Sequence, residues 1–79
     1  MKFVDNYVDC KLFSVREALV LEHPENEQNT IDKLFTDDTF KANLSYVYWT
    51  TTEQPLYRVK TPAGNEGYVR TDVIQLATK

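Results

Sequence analysis

The chain is poor in the residues that most small-protein chemistry needs: it has one cysteine and one histidine, with two glycines and three prolines among 79 residues. A lone thiol closes no internal disulfide, which excludes a cysteine-stapled secreted mini-protein. A lone histidine cannot build a multi-histidine metal site. Asp32, Asp37 and Asp38 do not have the spacing of a calcium loop; Asp37-Asp38 reads as turn chemistry. So little glycine and proline excludes a collagen-like or linker-like chain. Basic residues are outnumbered, with nine Lys and Arg against twelve Asp and Glu, a net charge of −3 and a pI near 5.0. That balance argues against nucleic acid as a partner, because phosphate contacts need a basic face.

Long apolar runs are missing as well. Asp5, Asn6 and Asp9 interrupt the start, so no secretory signal is legible, and no run approaches the ~18 residues of a membrane span. With Met1 as the native start, the expectation is a cytoplasmic protein with no membrane contact. There is no phosphate-binding loop and no dinucleotide fingerprint. Nothing around Cys10 or His23 resembles a nucleophile motif; Cys10 reads as a small apolar residue and His23, before Pro24, as a loop residue. The expectation is a protein that is not an enzyme and carries no cofactor.

What is present suits one globular domain: 42% apolar and 27% charged residues. Charge is uneven. Residues 1–40 hold nine acids against four bases, and residues 41–79 three against five. The acids gather at Glu22, Glu25, Glu27, Asp32, Asp37 and Asp38. Such a cluster is either a solvated face that keeps a small protein soluble or a surface that captures a basic partner.

The patterning is that of short strands between turns. Ala18-Leu19-Val20-Leu21 is an apolar run stopped by Glu22-His23-Pro24, and residues 24–30 read as a polar loop. Ile31, Leu34 and Phe35 return the chain to the core. From Phe40 the even positions Phe40, Ala42, Leu44, Tyr46 and Tyr48 alternate with polar ones, which predicts a strand with one buried face. Residues 56–60 form the returning strand, with Tyr57 and Val59 on one face. Thr61-Pro62-Ala63-Gly64-Asn65 is a tight turn in which Gly64 or Asn65 takes a positive φ. Residues 66–70 are the next strand, and Gly67 allows close approach of a neighbouring backbone. Residues 1–17 fit helical spacing, yet their residue types favour strand. They are expected as an N-terminal extension, strand or irregular.

From Ala18 to Leu76 the chain resembles bacterial SH3-like (SH3b) domains. Ala18-Leu19-Val20-Leu21 stands in the first element, Pro24 in the loop, Ile31-Asp32-Lys33-Leu34 at the return to the core and Thr39-Phe40 in the strand after the turn. Leu56-Tyr57-Arg58-Val59 matches the third element and Gly64-Asn65-Glu66-Gly67-Tyr68-Val69 the last. Leu21 stands where the family has Arg, Asp37 where it has a turn Gly, and Leu56 where it has Trp. The resemblance implies an all-β fold, a small SH3-like barrel of about five strands spanning residues 18–79 behind the extension.

A non-catalytic binding module follows, one that recognises a protein or peptide partner inside the cell. Its expected contact residues are Glu22, Glu25, Glu27, Trp49 and Tyr68: carboxylates steer a basic or mixed peptide and aromatics hold it. Trp49 falls with Val47 on the nominally outer face of its strand, so residues 44–55 are also a candidate homodimer contact. A free-standing acidic domain of this size fits a phage or mobile-element product that inhibits a host protein. The alternatives are a cell-wall peptide-binding module and an oligomer that sequesters a small molecule or nucleotide.

Overall fold

The computed structural model describes residues 7–77. Seven antiparallel strands make a single sheet: β1 (Tyr7–Leu12), β2 (Glu17–His23), β3 (Asn26–Phe35), β4 (Phe40–Trp49), β5 (Pro55–Lys60), β6 (Glu66–Arg70) and β7 (Ile74–Leu76), with one turn of 3-10 helix, Thr71–Val73, between β6 and β7. The sheet order is β3-β2-β6-β5-β4-β1-β7, so among the described residues β3 and β7 are its edges. The all-β expectation holds, but the described residues hold seven strands rather than about five.

The N-terminal stretch supplies part of that difference. β1 lies within the sheet, with Cys10 opposite Phe40 of β4 on one side and Leu76 of β7 on the other. Cys10 and Leu12 are buried in the core. Residues 1–6 of the expected extension lie outside the described residues.

The core is made by alternate residues of most strands: Cys10, Leu12, Val20, Leu34, Phe40, Ala42, Val59 and Val69, with Val15, Ile31, Tyr57 and Ile74 packed around them. Each fully buried aliphatic side chain contributes about 1.5–3 kcal/mol relative to exposure. Phe35, expected in the core, is half exposed: it sits opposite Glu17, one residue past Leu34, and so takes the other face.

Two further expectations are corrected. The polar residues 26–30 are not a loop but the first half of β3, because the β2–β3 connection closes tightly around Pro24 and Glu25. The even-residue alternation of β4 holds through Leu44, which packs against the core, and fails beyond it. Asn43 lies opposite Arg58, yet Val47 lies opposite Tyr57, so β4 advances four residues while β5 advances one. An odd number of extra residues exchanges the faces. Tyr48 therefore comes opposite Leu56, away from the core, and Tyr46 is 62% exposed in the irregular segment.

The two glycines behave as their positions require. Gly64 has φ of 94° in the β5–β6 turn, which is closed by Gly64 N–H to Thr61 O at 2.9 Å and Thr61 N–H to Asn65 O at 2.8 Å. At Gly67 a Cβ would lie 2.6 Å from Val20 Cγ1 and closer still to the Leu21 carbonyl oxygen. That contact is where β6 meets β2, with Leu21 opposite Tyr68.

Candidate functional site

A cleft of about 390 Å³ lies between the β2–β3 hairpin and the β4–β5 loop. Its apolar surface comes from Leu19, Leu21, Pro24 and Leu56 together with Val15, Ala18, Val69 and Val73, which belong to the core or pack against it; its polar rim comes from Glu17, Thr50, Thr51, Gln54 and Arg70. The local sequence explains the placement. In Ala18-Leu19-Val20-Leu21 every residue is apolar, so β2 has an apolar surface on both sides: Val20 faces the core and Leu21 the cleft. β5 repeats this, with Val59 in the core and Leu56, only 2% exposed, in the cleft wall.

Tyr68 lines the cleft from β6. The β4 irregularity brings Tyr48 against it edge-to-face, with ring centroids 5.5 Å apart. Arg58, opposite Tyr68 on β5, places its guanidinium 5.0 Å from the Tyr68 ring centroid. Burial opposes the Arg58 charge, but hydrogen bonding to Tyr68, Tyr7 and Glu66 outweighs it and raises its pKa. The ring is thus fixed from two sides by contacts of the edge-to-face and cation–π kind.

The cleft walls are tied together by Glu25. Its carboxylate accepts from Thr51 N–H at 3.1 Å and from the Thr51 hydroxyl at 3.1 Å. The β4–β5 loop is itself braced by Thr50 N–H to Gln54 O at 3.1 Å and Glu53 N–H to Thr50 O at 2.9 Å, with Glu53 at φ 63°. A non-glycine residue held in the left-handed region needs such bracing.

Of the residues singled out from sequence, Glu25 and Tyr68 line the cleft together, Glu25 as a brace and Tyr68 as a surface. Glu22 and Trp49 do not line it: Glu22 accepts from the Asn29 side chain, and Trp49 stands 62% exposed. The Glu27 side chain lies outside what is described. The shift in β4 also overturns the face assignment of Val47 and Trp49, which pair with Tyr57 and Pro55 on the core side of the strand. Trp49 does not pack against the core cluster. Leu21 and Leu56 enter the sequence reading only as departures from the family pattern, and Leu19 and Arg70 not as contacts, although consecutive apolar residues in β2 are a sign of a two-sided strand.

Cys10 and His23 have separate roles. Cys10 is buried in β1; burial first, then the Asp9 charge, pushes its thiol above the usual value. His23 is exposed and its Nδ1 accepts Glu25 N–H at 3.3 Å, within the β2–β3 turn. Among the described residues no group of three or more His, Cys, Asp or Glu could hold a metal ion. No helix among them is long and apolar enough to cross a membrane. Compared with protein-family models, curated proteins and solved structures, the chain matches none.

Proposed function

We propose that the chain is a non-catalytic SH3-like binding module that holds a peptide segment of a protein partner in the cleft beside Tyr68. The observation that carries this reading is the union of an apolar wall with a braced polar rim in one cleft. Leu19, Leu21 and Leu56 offer apolar surface, while Tyr68 is already immobilised by Tyr48 and Arg58. Pre-ordering of that kind lowers the entropy lost on binding. Glu17 and Arg70, both on the rim, offer one charge of each sign to a peptide of mixed character. Their existing partners, Lys33 at 3.7 Å and Asp72 at 2.7 Å, are exposed surface pairs that a ligand can replace at little cost. The intracellular setting and the inhibition of a host protein belong to the same reading.

The test is a titration of isotope-labelled protein with short mixed-charge peptides, with a cell-wall stem peptide and with nucleotides. Saturable shifts at Leu21, Leu56 and Tyr68 for the mixed-charge peptides, lost in Tyr68→Ala, are the expected result. Saturation by the stem peptide alone assigns the module to cell walls. Saturation by nucleotides alone overturns the peptide reading.

A further inference from the structure

β3 ends the sheet: it pairs with β2, and among the described residues no strand lies on its other side. A ten-residue edge ordinarily offers outward N–H and C=O groups to any extended chain that meets it. Here three edge donors are occupied by the chain's own side chains. Gln28 N–H donates to Asn26 Oδ1 at 3.1 Å, Lys33 N–H to Asp32 Oδ1 at 2.7 Å, and Phe35 N–H to Asp38 Oδ2 at 2.9 Å. Lys33 and Phe35 are two apart in the regular part of the β2–β3 pairing and so share the outward side. Gln28 lies in its irregular part, where the register shifts between Val20 and Leu21 and again between Leu21 and His23, and its N–H is held by Asn26 rather than by β2.

Two of the three guarding groups are carboxylates, and they sit in the most acidic part of the molecule. Residues 17–38 hold seven Asp and Glu against Lys33 as the only Lys or Arg. We propose that the β3 edge is a docking strand for a basic, extended segment of a partner protein, which adds to the sheet as a further strand. An incoming strand must take the N–H groups of Gln28, Lys33 and Phe35 from Asn26, Asp32 and Asp38. Asp32 keeps the Asn65 side chain at 3.1 Å on its other oxygen, so what selects the strand is charge: alternating Lys or Arg side chains pair with the carboxylates, and an acidic strand meets like charge. The guards therefore close the edge to copies of the chain's own acidic β3 and admit a basic strand. Phe35, half exposed at the end of the edge, offers apolar contact. The opposite edge, β7, has three residues and is too short for comparable pairing. This surface is separate from the cleft and does not depend on what the cleft binds.

The experiment uses the full chain, labelled for amide exchange, and three peptides: an alternating Lys-Val peptide, its Glu-Val counterpart, and the Lys-Val peptide with a central proline. The Lys-Val peptide should slow exchange at Gln28, Lys33 and Phe35, and the other two should not. The charge-removing pair Asp32→Asn with Asp38→Asn should weaken binding about 3- to 10-fold, as expected for two exposed charge pairs. Gln28→Pro removes an edge donor at a site where an edge strand accepts proline; with an unchanged circular-dichroism spectrum it should abolish protection. Tyr68→Ala should leave it intact, which separates this surface from the cleft. Equal protection by the Lys and Glu peptides, or equal binding of the proline-interrupted peptide, overturns the proposal. So does peptide binding that shifts Leu56 and Tyr68 while β3 amides exchange as before. Protection that rises with protein concentration alone assigns the edge to a second copy and overturns it too.

Discussion

β5 has two partners, and they treat it differently. Along β6 the register is unbroken, from Leu56 opposite Arg70 to Lys60 opposite Glu66. Along β4 it slips between Asn43 and Val47. The regular ladder is closed by a short turn with one positive-φ glycine, and a short turn leaves no freedom of register. The irregular ladder is closed by Thr50 to Gln54, and its slip is permitted because the far end of β4 lies beyond the core. What is lost there in strand pairing reappears as the site: the slip turns Tyr48 onto the Tyr68 ring. Regularity holds the fold together, and the departure from it shapes the cleft.

The sharpest way to break the regular side is Gly67→Val. The backbone at Gly67 needs no unusual φ, but a Cβ meets Val20 and the Leu21 carbonyl. Forcing β2 and β6 apart should cost about 3 kcal/mol or more, at the upper end for overpacking. Urea unfolding checks this, and a loss below ~1 kcal/mol would show that the two strands part easily. Gly64→Ala tests the same hairpin by the opposite mechanism. Its Cβ meets nothing within 4 Å, so the whole cost is the φ of 94°, about 1–2 kcal/mol. Gly64→Asn should cost less than Ala, since Asn tolerates the left-handed region; a reversed order in thermal unfolding would sink that account. On the irregular side, Tyr46→Ser and Trp49→Ala remove side chains that are each 62% exposed. Both should stay within about 0.5 kcal/mol of the parent. A larger loss for Trp49→Ala would place it against the core after all.

The regular parts of the fold were legible because local rules are sufficient there. Tyr57 and Val59 alternate inward, Gly64 turns the chain, and residues 66–70 form the strand with Gly67 at its contact. Each of these follows from a period of two and from what a missing Cβ permits. Polar composition misled the reading of residues 26–30, since an edge strand covers only one side and tolerates Asn, Gln and Thr. The alternation from Phe40 to Tyr48 misled for another reason. A period-two pattern assumes constant register, and the slip after Asn43 is set by a partner strand distant in sequence. For the site, Tyr68 was legible as an aromatic after a glycine contact. Leu56 is marked only by the resemblance, as standing where the family has Trp; its residue type does not tell the cleft from the core, because an apolar residue beside an apolar core strand looks the same on either face.

Composition alone determined that the chain is acidic, with a single thiol and a single imidazole. Alternation and turn chemistry determined that it is built of strands, and where β5 and β6 turn. Only the tertiary structure decided that β1 belongs inside the sheet, that β4 changes face, and that Glu25 braces Thr51 across the cleft. The reason is separation along the chain. Propensity and periodicity act between neighbours, whereas register, edge position and the meeting of two hairpins depend on residues tens of positions apart, which are fixed only when the sheet closes on its core.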